Sequence, residues 1–448
     1  MPRVIRATLI SIRDLLATVG PFLILALVLL AGAYLLLKPT PPKRVVLATG
    51  PEDSAYADFG KQYAAALKRY GITVVLKTTR GSYDNLRMLR DPKQNVDLAF
   101  VQGGSSETVR ATDENGGGVP LVSLGSLFYE PVWIFYRAEA AHKLPGGTLT
   151  GLAQMQGWRV NLGALGSGAP GLMRKLLAAN GMDRDSLHYS NLELTPAVVA
   201  LLDGKLDAIA FVTAPETPMV QMLLQTPGVK LLEFPQGEAY ARRYPFLSPV
   251  VLPRGVVDIA RDVPAHDVPL IAPTTSLLAR EDTHPALLQL FVQAASRIHS
   301  GPGWIARAGQ FPTARNSEFP LAPEAERFYR SGPPLLQRYL PFWLANLIDR
   351  MWVALFSIVA VLIPLSRLVP PLYEFRIRSR VFRWYRQLRH IEERIGRAGT
   401  TAPAELLAEL ERLDAKAEHV AVPLSYMDEL YNLRGHIALV RERLRNTR

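Results

Sequence analysis

A unit of strand, turn, helix, strand, helix and strand occurs twice in this chain, over residues 44–102 and again over residues 158–213, and that duplication leaves few folds open. In the first copy, RVVLATG is a short apolar run closed by glycine, and DSAYADFGKQYAAALKRYG follows with helical periodicity up to Gly71. ITVVLKT predicts a second strand, GSYDNLRMLR a helix with Ser82 as N-cap, and VDLAFVQ a third strand ending at Gln102. The second copy runs WRVNLG, GSGAPGLMRKLLAANG, a strand near LHYSNLEL, the helix TPAVVALLDG with Thr195 as N-cap, and LDAIAFV. Alternating strands and helices predict parallel sheets with crossover helices, and two such lobes imply a cleft between them.

Charge and hydropathy divide the rest of the chain. The net charge is +11, yet residues 40–348 are nearly balanced, with 30 basic against 27 acidic residues. Residues 15–37 form 23 uncharged positions, enough to cross a bilayer core of about 30 Å. The run is longer than a usual signal-peptide core, which favours an uncleaved anchor over a signal peptide. A second uncharged run, residues 351–366, lies between Arg350 and Arg367. Nine arginines against three glutamates between residues 367 and 397 assign that side to the cytoplasm by the positive-inside rule, and the intervening domain to the outside. Anionic lipid is a better partner for this arginine run than nucleic acid, because the run adjoins the membrane segment.

The expected organisation is a cytoplasmic N-terminus at 1–14, a transmembrane helix at 15–37, and a proline-rich stalk at 38–43. A bilobed domain follows at 44–345, with one lobe at 44–135 plus 236–300 and the other at 136–235. A second transmembrane helix at 349–367 and a basic segment with a cytoplasmic helical hairpin at 368–448 complete it, the hairpin turning at Pro423. A mobile connector is expected at 115–118.

Candidate chemistry lies where helices start. Gly81 and Ser82 in the first lobe, and Gly166, Ser167 and Gly168 in the second, leave backbone N–H groups open where macrodipole and unpaired donors favour an anion. A lone glycine-serine-glycine turn is more often only a tight connection, but here two such turns occupy matching places. A third turn ends in Tyr56, and Gln102 and Thr213 close the two matching strands with polar side chains. Arg80 is a candidate carboxylate clamp, with a surface ion pair as its ordinary alternative. Glu130 sits near the crossover between lobes and can meet an ammonium group or pair with an arginine. The chain has no cysteine, and His142, His188, His266 and His284 lack ligand spacing, so no metal, cofactor or catalytic constellation is expected.

These phrases, together with SLFYEPVWIFYR, ALLDGKLDAIAFVTAPETP and YPFLSPVVLPRGVV, resemble the TAXI family of solute-binding subunits of TRAP-type transporters over about residues 44–300. The resemblance implies an α/β bilobed periplasmic-binding-protein-like fold (type II), here flanked by two transmembrane helices and the hairpin. It implies a receptor that is not an enzyme, closing around a small organic anion, an amino acid or a carboxylate, for a TRAP permease at a bacterial inner membrane. Carried over by position, Tyr56, Ser82, Asn85, Gln102, Gly166, Ser167 and Gly168 match the family's binding motifs. Glu52, Asp53 and Ser54 stand where the family commonly has glycines, and Ala169 and Pro170 where it has a hydroxyl residue. The second membrane segment and tail also depart from freely diffusing relatives, so a sensor acting through its tail and a ligand-free scaffold are the alternatives.

Overall fold

The computed structural model describes residues 3–37, 40–106, 118–333, 335–396, 403–418 and 427–446. The connector at 115–117, part of the stalk at 38 and 39, and the turn at Pro423 lie outside the described residues. One compact unit is Thr40–Ala345; the described residues of Met1–Pro39 and Asn346–Arg448 form another.

The first unit is built on β1 (Arg44–Ala48), β2 (Thr73–Lys77), β3 (Leu98–Gln102), β4 (Leu121–Tyr129), β5 (Val132–Arg137), β6 (Arg159–Asn161), β7 (His188–Ser190), β8 (Ala208–Val212), β9 (Val229–Leu231), β10 (Leu247–Leu252) and β11 (Val268–Arg280). These make one sheet in the order β10-β11-β3-β1-β2, with β4 also on β11, and another in the order β7-β6-β8-β5-β9. The repeat is plain in the topology. In each sheet the first strand of the copy lies between the second and third, all parallel, as β2-β1-β3 and as β7-β6-β8. The sheets are mixed rather than wholly parallel, because β11 enters the first and β5 the second antiparallel to its neighbour.

Side chains alternate along β1: Val45 and Leu47 bury on one face with Tyr63, Leu67, Phe100 and Phe291, while Val46 and Ala48 bury on the other with Leu86 and Leu89. Helices cover both faces, which is why the strands read as unbroken apolar runs. In the helix Ala55–Lys68, Tyr56, Gly60, Tyr63 and Leu67 recur at helical spacing and form its inner stripe.

The expected lobe boundary at residues 135 and 136 needs correction. β5 pairs along its length with β8 and puts Trp133 and Phe135 in the second core, so the chain crosses at Glu130 and Pro131. A strand's apolar run does not state which sheet will pair with it. Trp133 is fully buried and its indole Nε1 donates to the Thr213 carbonyl at 3.1 Å. Trp133→Ala is expected to lose about 4 kcal/mol of stability through the cavity it leaves, measurable as a lower urea midpoint.

In the other unit, the stretches Val19–Leu37 and Met351–Phe375 are long and apolar enough to cross a membrane. The expected two-helix hairpin is instead a three-helix core. Val369–Gly396, which carries the arginine run, contributes Leu388 and Ile391 beside Leu410 and Leu413 of Pro403–Glu418 and Leu433 and Ile437 of Met427–Asn446. Ion pairs from Arg394 to Glu409 at 2.7 Å and from Arg441 to Asp414 at 2.8 Å join these helices.

Candidate functional site

Five helices begin directly after parallel strands, Ala55–Lys68 after β1, Ser82–Arg90 after β2, Ala169–Ala179 after β6, Leu194–Leu202 after β7 and Pro218–Gln225 after β8. Their first residues, Ala55, Ser82, Ala169, Leu194 and Pro218, all line one cavity of about 550 Å³ between the lobes. This is where open α/β sheets bind ligands, outside the carboxyl ends of strands. The macrodipoles of these helices have their positive ends on the cavity's side. Leu192, Ile209, Phe211 and Met219 supply an apolar wall.

Tyr56, Arg80, Ser82, Gln102, Ser167, Gly168 and Thr213 line the cavity; Asn85 and Gly166 are not among its lining residues. Asn85 is fully buried, its amide donating to the Thr49 carbonyl at 2.5 Å and the Phe100 carbonyl at 2.8 Å, with Thr79 Oγ1 donating to its Oδ1 at 2.7 Å. It pins the turn before its helix to β1 and β3. Gly81, with φ 126°, is the N-cap of that helix and Ser82 its first residue; likewise Glu193, not Thr195, caps Leu194–Leu202. Ser82 Oγ accepts from the Gln102 amide N–H at 2.7 Å and bonds Ser105 Oγ at 2.9 Å.

The first-lobe turn is not the open anion cradle the sequence suggests. The Gly166 carbonyl of the second lobe accepts from Tyr83 N and Asp84 N, both at 3.1 Å, and so occupies the start of the Ser82–Arg90 helix. The approach requires glycine on both sides. A Cβ on Gly81 would lie 3.1 Å from Ser167 Cα, and one on Gly166, whose φ is 96°, would lie 2.6 Å from Arg80 Cβ. Ser167 Oγ donates to the Ala164 carbonyl at 2.7 Å within its own turn. Arg80 follows its ordinary alternative: Nε and one terminal nitrogen grip the buried Asp84 carboxylate at 2.6 and 3.1 Å.

Gln102 differs from these. It is 3% exposed, lines the cavity, and its side-chain amide has no hydrogen-bond partner among the described residues. It packs against Gly168, where a Cβ would approach within 2.4 Å of its Oε1.

Glu130 is the buried charge of the site. Tyr56 donates its hydroxyl to Oε2 at 2.8 Å and Thr275 donates to the same oxygen. Burial pushes the Glu130 carboxyl up to about 7, and the two hydroxyl bonds pull against that shift. Burial, then the Glu130 charge, raises the Tyr56 phenol well above its ordinary range. Among the described residues no arginine or lysine pairs with Glu130, and the sequence signal was only its place between two strands.

Likeness to solved structures is distant. A protein of Bordetella bronchiseptica RB50 is 17% identical with a TM-score of 0.40, over 57% of this chain and 70% of that one. The alkanesulfonate-binding protein SsuA of Xanthomonas axonopodis pv. citri, bound to MOPS, is 18% identical with a TM-score of 0.34, over 46% and 69%. The periplasmic aliphatic sulphonate binding protein SsuA of Escherichia coli is 16% identical with a TM-score of 0.36, over 71% and 83%. The NMT1-like family matches residues 47–331, more than half of the 448 residues and both sheets of the bilobed unit, so the chain belongs to the NMT1-like family.

Proposed function

We propose that Thr40–Ala345 is an extracytoplasmic solute receptor that closes its lobes around a small organic anion, an amino acid or a carboxylate, and presents it to a TRAP-type permease. The observation that carries this reading is the convergence on one cavity of four helix N-termini besides that of Ser82–Arg90, whose start the Gly166 carbonyl occupies. Macrodipoles and backbone donors at that point favour negative charge, while the apolar wall accepts a short carbon skeleton. The unpartnered Gln102 amide supplies a further donor inside it. Ligand contacts on both lobes give the closed state its differential affinity, and that difference is what a partner reads. The apolar stretches Val19–Leu37 and Met351–Phe375 anchor the receptor at the inner membrane, with the three-helix unit in the cytoplasm against anionic lipid.

The test is a thermal-shift screen of the full chain in lipid nanodiscs against succinate, pyruvate, L-glutamate, other amino acids and other small acids. A solute at 100 times its Kd adds about 2.7 kcal/mol, a shift of roughly 5 °C for a unit of this size. A folded protein with no shift across the panel sinks the reading. Gln102→Leu is expected to weaken binding of a solute so found by about tenfold, since an amide donor is replaced by a group that cannot pair.

A sensor reading has its own support, because the tail is a packed three-helix unit rather than a bare basic segment. Uptake that survives deletion of residues 372–448 favours transport over signalling through the tail.

A further inference from the structure

Glu130 lies at the point where the chain leaves β4 for β5, and so at the joint between the lobes. It is 3% exposed and lines the cavity. Both of its hydrogen bonds fall on Oε2, from Tyr56 on the helix Ala55–Lys68 and from Thr275 on β11. Oε1 has no hydrogen-bond partner among the described residues, and its carboxyl borders the cavity. With both hydroxyl contacts on Oε2, Oε1 is the carboxyl oxygen free to present a proton to the cavity.

The charges facing this carboxyl are few. Tyr56 contacts it directly; Asp53 from the first turn and Glu193 from the second lobe line the same cavity and are exposed. Arg80 is the only cation among the described lining residues, and its guanidinium is held by Asp84. Among the described residues, therefore, no base or cation stands against Glu130 to keep it ionised when an anion enters beside it.

We propose that Glu130 is a specificity-determining residue of the cavity, and that the solute's anionic group is captured together with one proton held on Glu130 Oε1. This rests on the anion-receptor reading above. No covalent bond of the solute changes. The ionised receptor, the anion and one proton from water combine, and the proton returns to water on release. The protonated carboxyl then donates to the bound anion, where an ionised one would repel it at close range in a dry site. With the free carboxyl titrating near 7, capture takes up almost a whole proton at pH 8.5 and little at pH 6.

The test is isothermal titration calorimetry of the full chain in nanodiscs from pH 6 to 8.5, with whichever of succinate, pyruvate and L-glutamate bind in the thermal-shift screen. Each pH is run in two buffers of different ionisation heat to count protons. The expected result is a Kd that weakens about thirtyfold across that range, with proton uptake rising toward one. Glu130→Gln is expected to weaken binding a few-fold at pH 6 and to remove both the trend and the uptake. Binding that strengthens with pH and collapses in Glu130→Gln overturns the proposal, since Glu130 then acts as an ionised acceptor. Binding that is flat with pH in the wild type also overturns it and leaves the receptor reading standing. If no member of the thermal-shift panel binds at any pH, the receptor reading and the proposal fall together.

Discussion

Replacing Gly166 by alanine is expected to weaken solute binding by about thirtyfold or more while leaving the fold intact. The added Cβ would meet Arg80 Cβ at 2.6 Å, and that atom, unlike the end of a long side chain, cannot swing away. Arg80 belongs to the opposite lobe, so the clash is relieved by parting the lobes, which also breaks the bonds from Tyr83 N and Asp84 N to the Gly166 carbonyl. A closed state raised by about 2–3 kcal/mol relative to the open one lowers apparent affinity by roughly thirtyfold to a hundredfold. Alanine at φ 96° adds local strain of about 1–2 kcal/mol, a fall of a few degrees in Tm. Calorimetry with a bound solute and small-angle scattering check both parts. Unchanged affinity would mean that capture does not require the two turns to meet.

The second large effect is loss of stability in acid through His299. Its ring packs among Phe59, Tyr63 and Phe128, its Nε2 is buried without a partner, and burial holds its pKa down to about 3. A folded pKa below the unfolded value of about 6.5 means that the unfolded chain binds more protons in between. The contribution is complete above about 6.5 and is lost as pH falls from there to about 3, reaching about 2 kcal/mol by pH 5. Glu130 acts with the opposite sign: its raised pKa gives stability that is complete below the unfolded value of about 4.5 and is lost as pH rises to about 7. Urea midpoints measured from pH 4.5 to 7 should therefore fall more steeply toward acid in Glu130→Gln than in the wild type, and less steeply in His299→Phe. A His299→Phe variant that keeps the wild-type pH slope argues that the imidazole is solvated.

The two copies of the repeat were legible because their signals are local. An apolar run, a glycine turn and an amphipathic helix need only neighbouring residues to define them, so the succession of strands and helices followed from RVVLATG and WRVNLG onward, while the caps at Gly81 and Glu193 did not. What failed depended on partners far away in sequence. VWIFYR reads as a strand but not as a strand of the second sheet, and Asn85 reads as a binding residue until the carbonyls of Thr49 and Phe100 are found waiting for its amide. The fate of Arg80 did have a local sign, since Asp84 stands only four residues on, in the first turn of the helix that follows. His299 and the environment of Glu130 had none, because burial by aromatic rings from several segments leaves no mark on local pattern. In the tail, the arginines obscured an apolar stripe of Tyr373, Trp384, Leu388 and Ile391 that makes the third helix part of a core.

β11 gives its early residues, Val268, Leu270, Ile271 and Ala272, to the core of the second lobe and its later ones, Leu277 and Ala279, to that of the first. During synthesis the second lobe's own sheet is finished at β9, yet its core still lacks the cover that β10 and β11 bring. The nascent chain thus exposes apolar surface on both lobes until residue 280 has cleared the ribosome, and the helix Pro285–His299 must still add Leu287, Phe291 and Ala295 to the core of the first. Truncation anywhere before β11 is expected to yield a product for chaperones and proteases rather than a half-sized receptor.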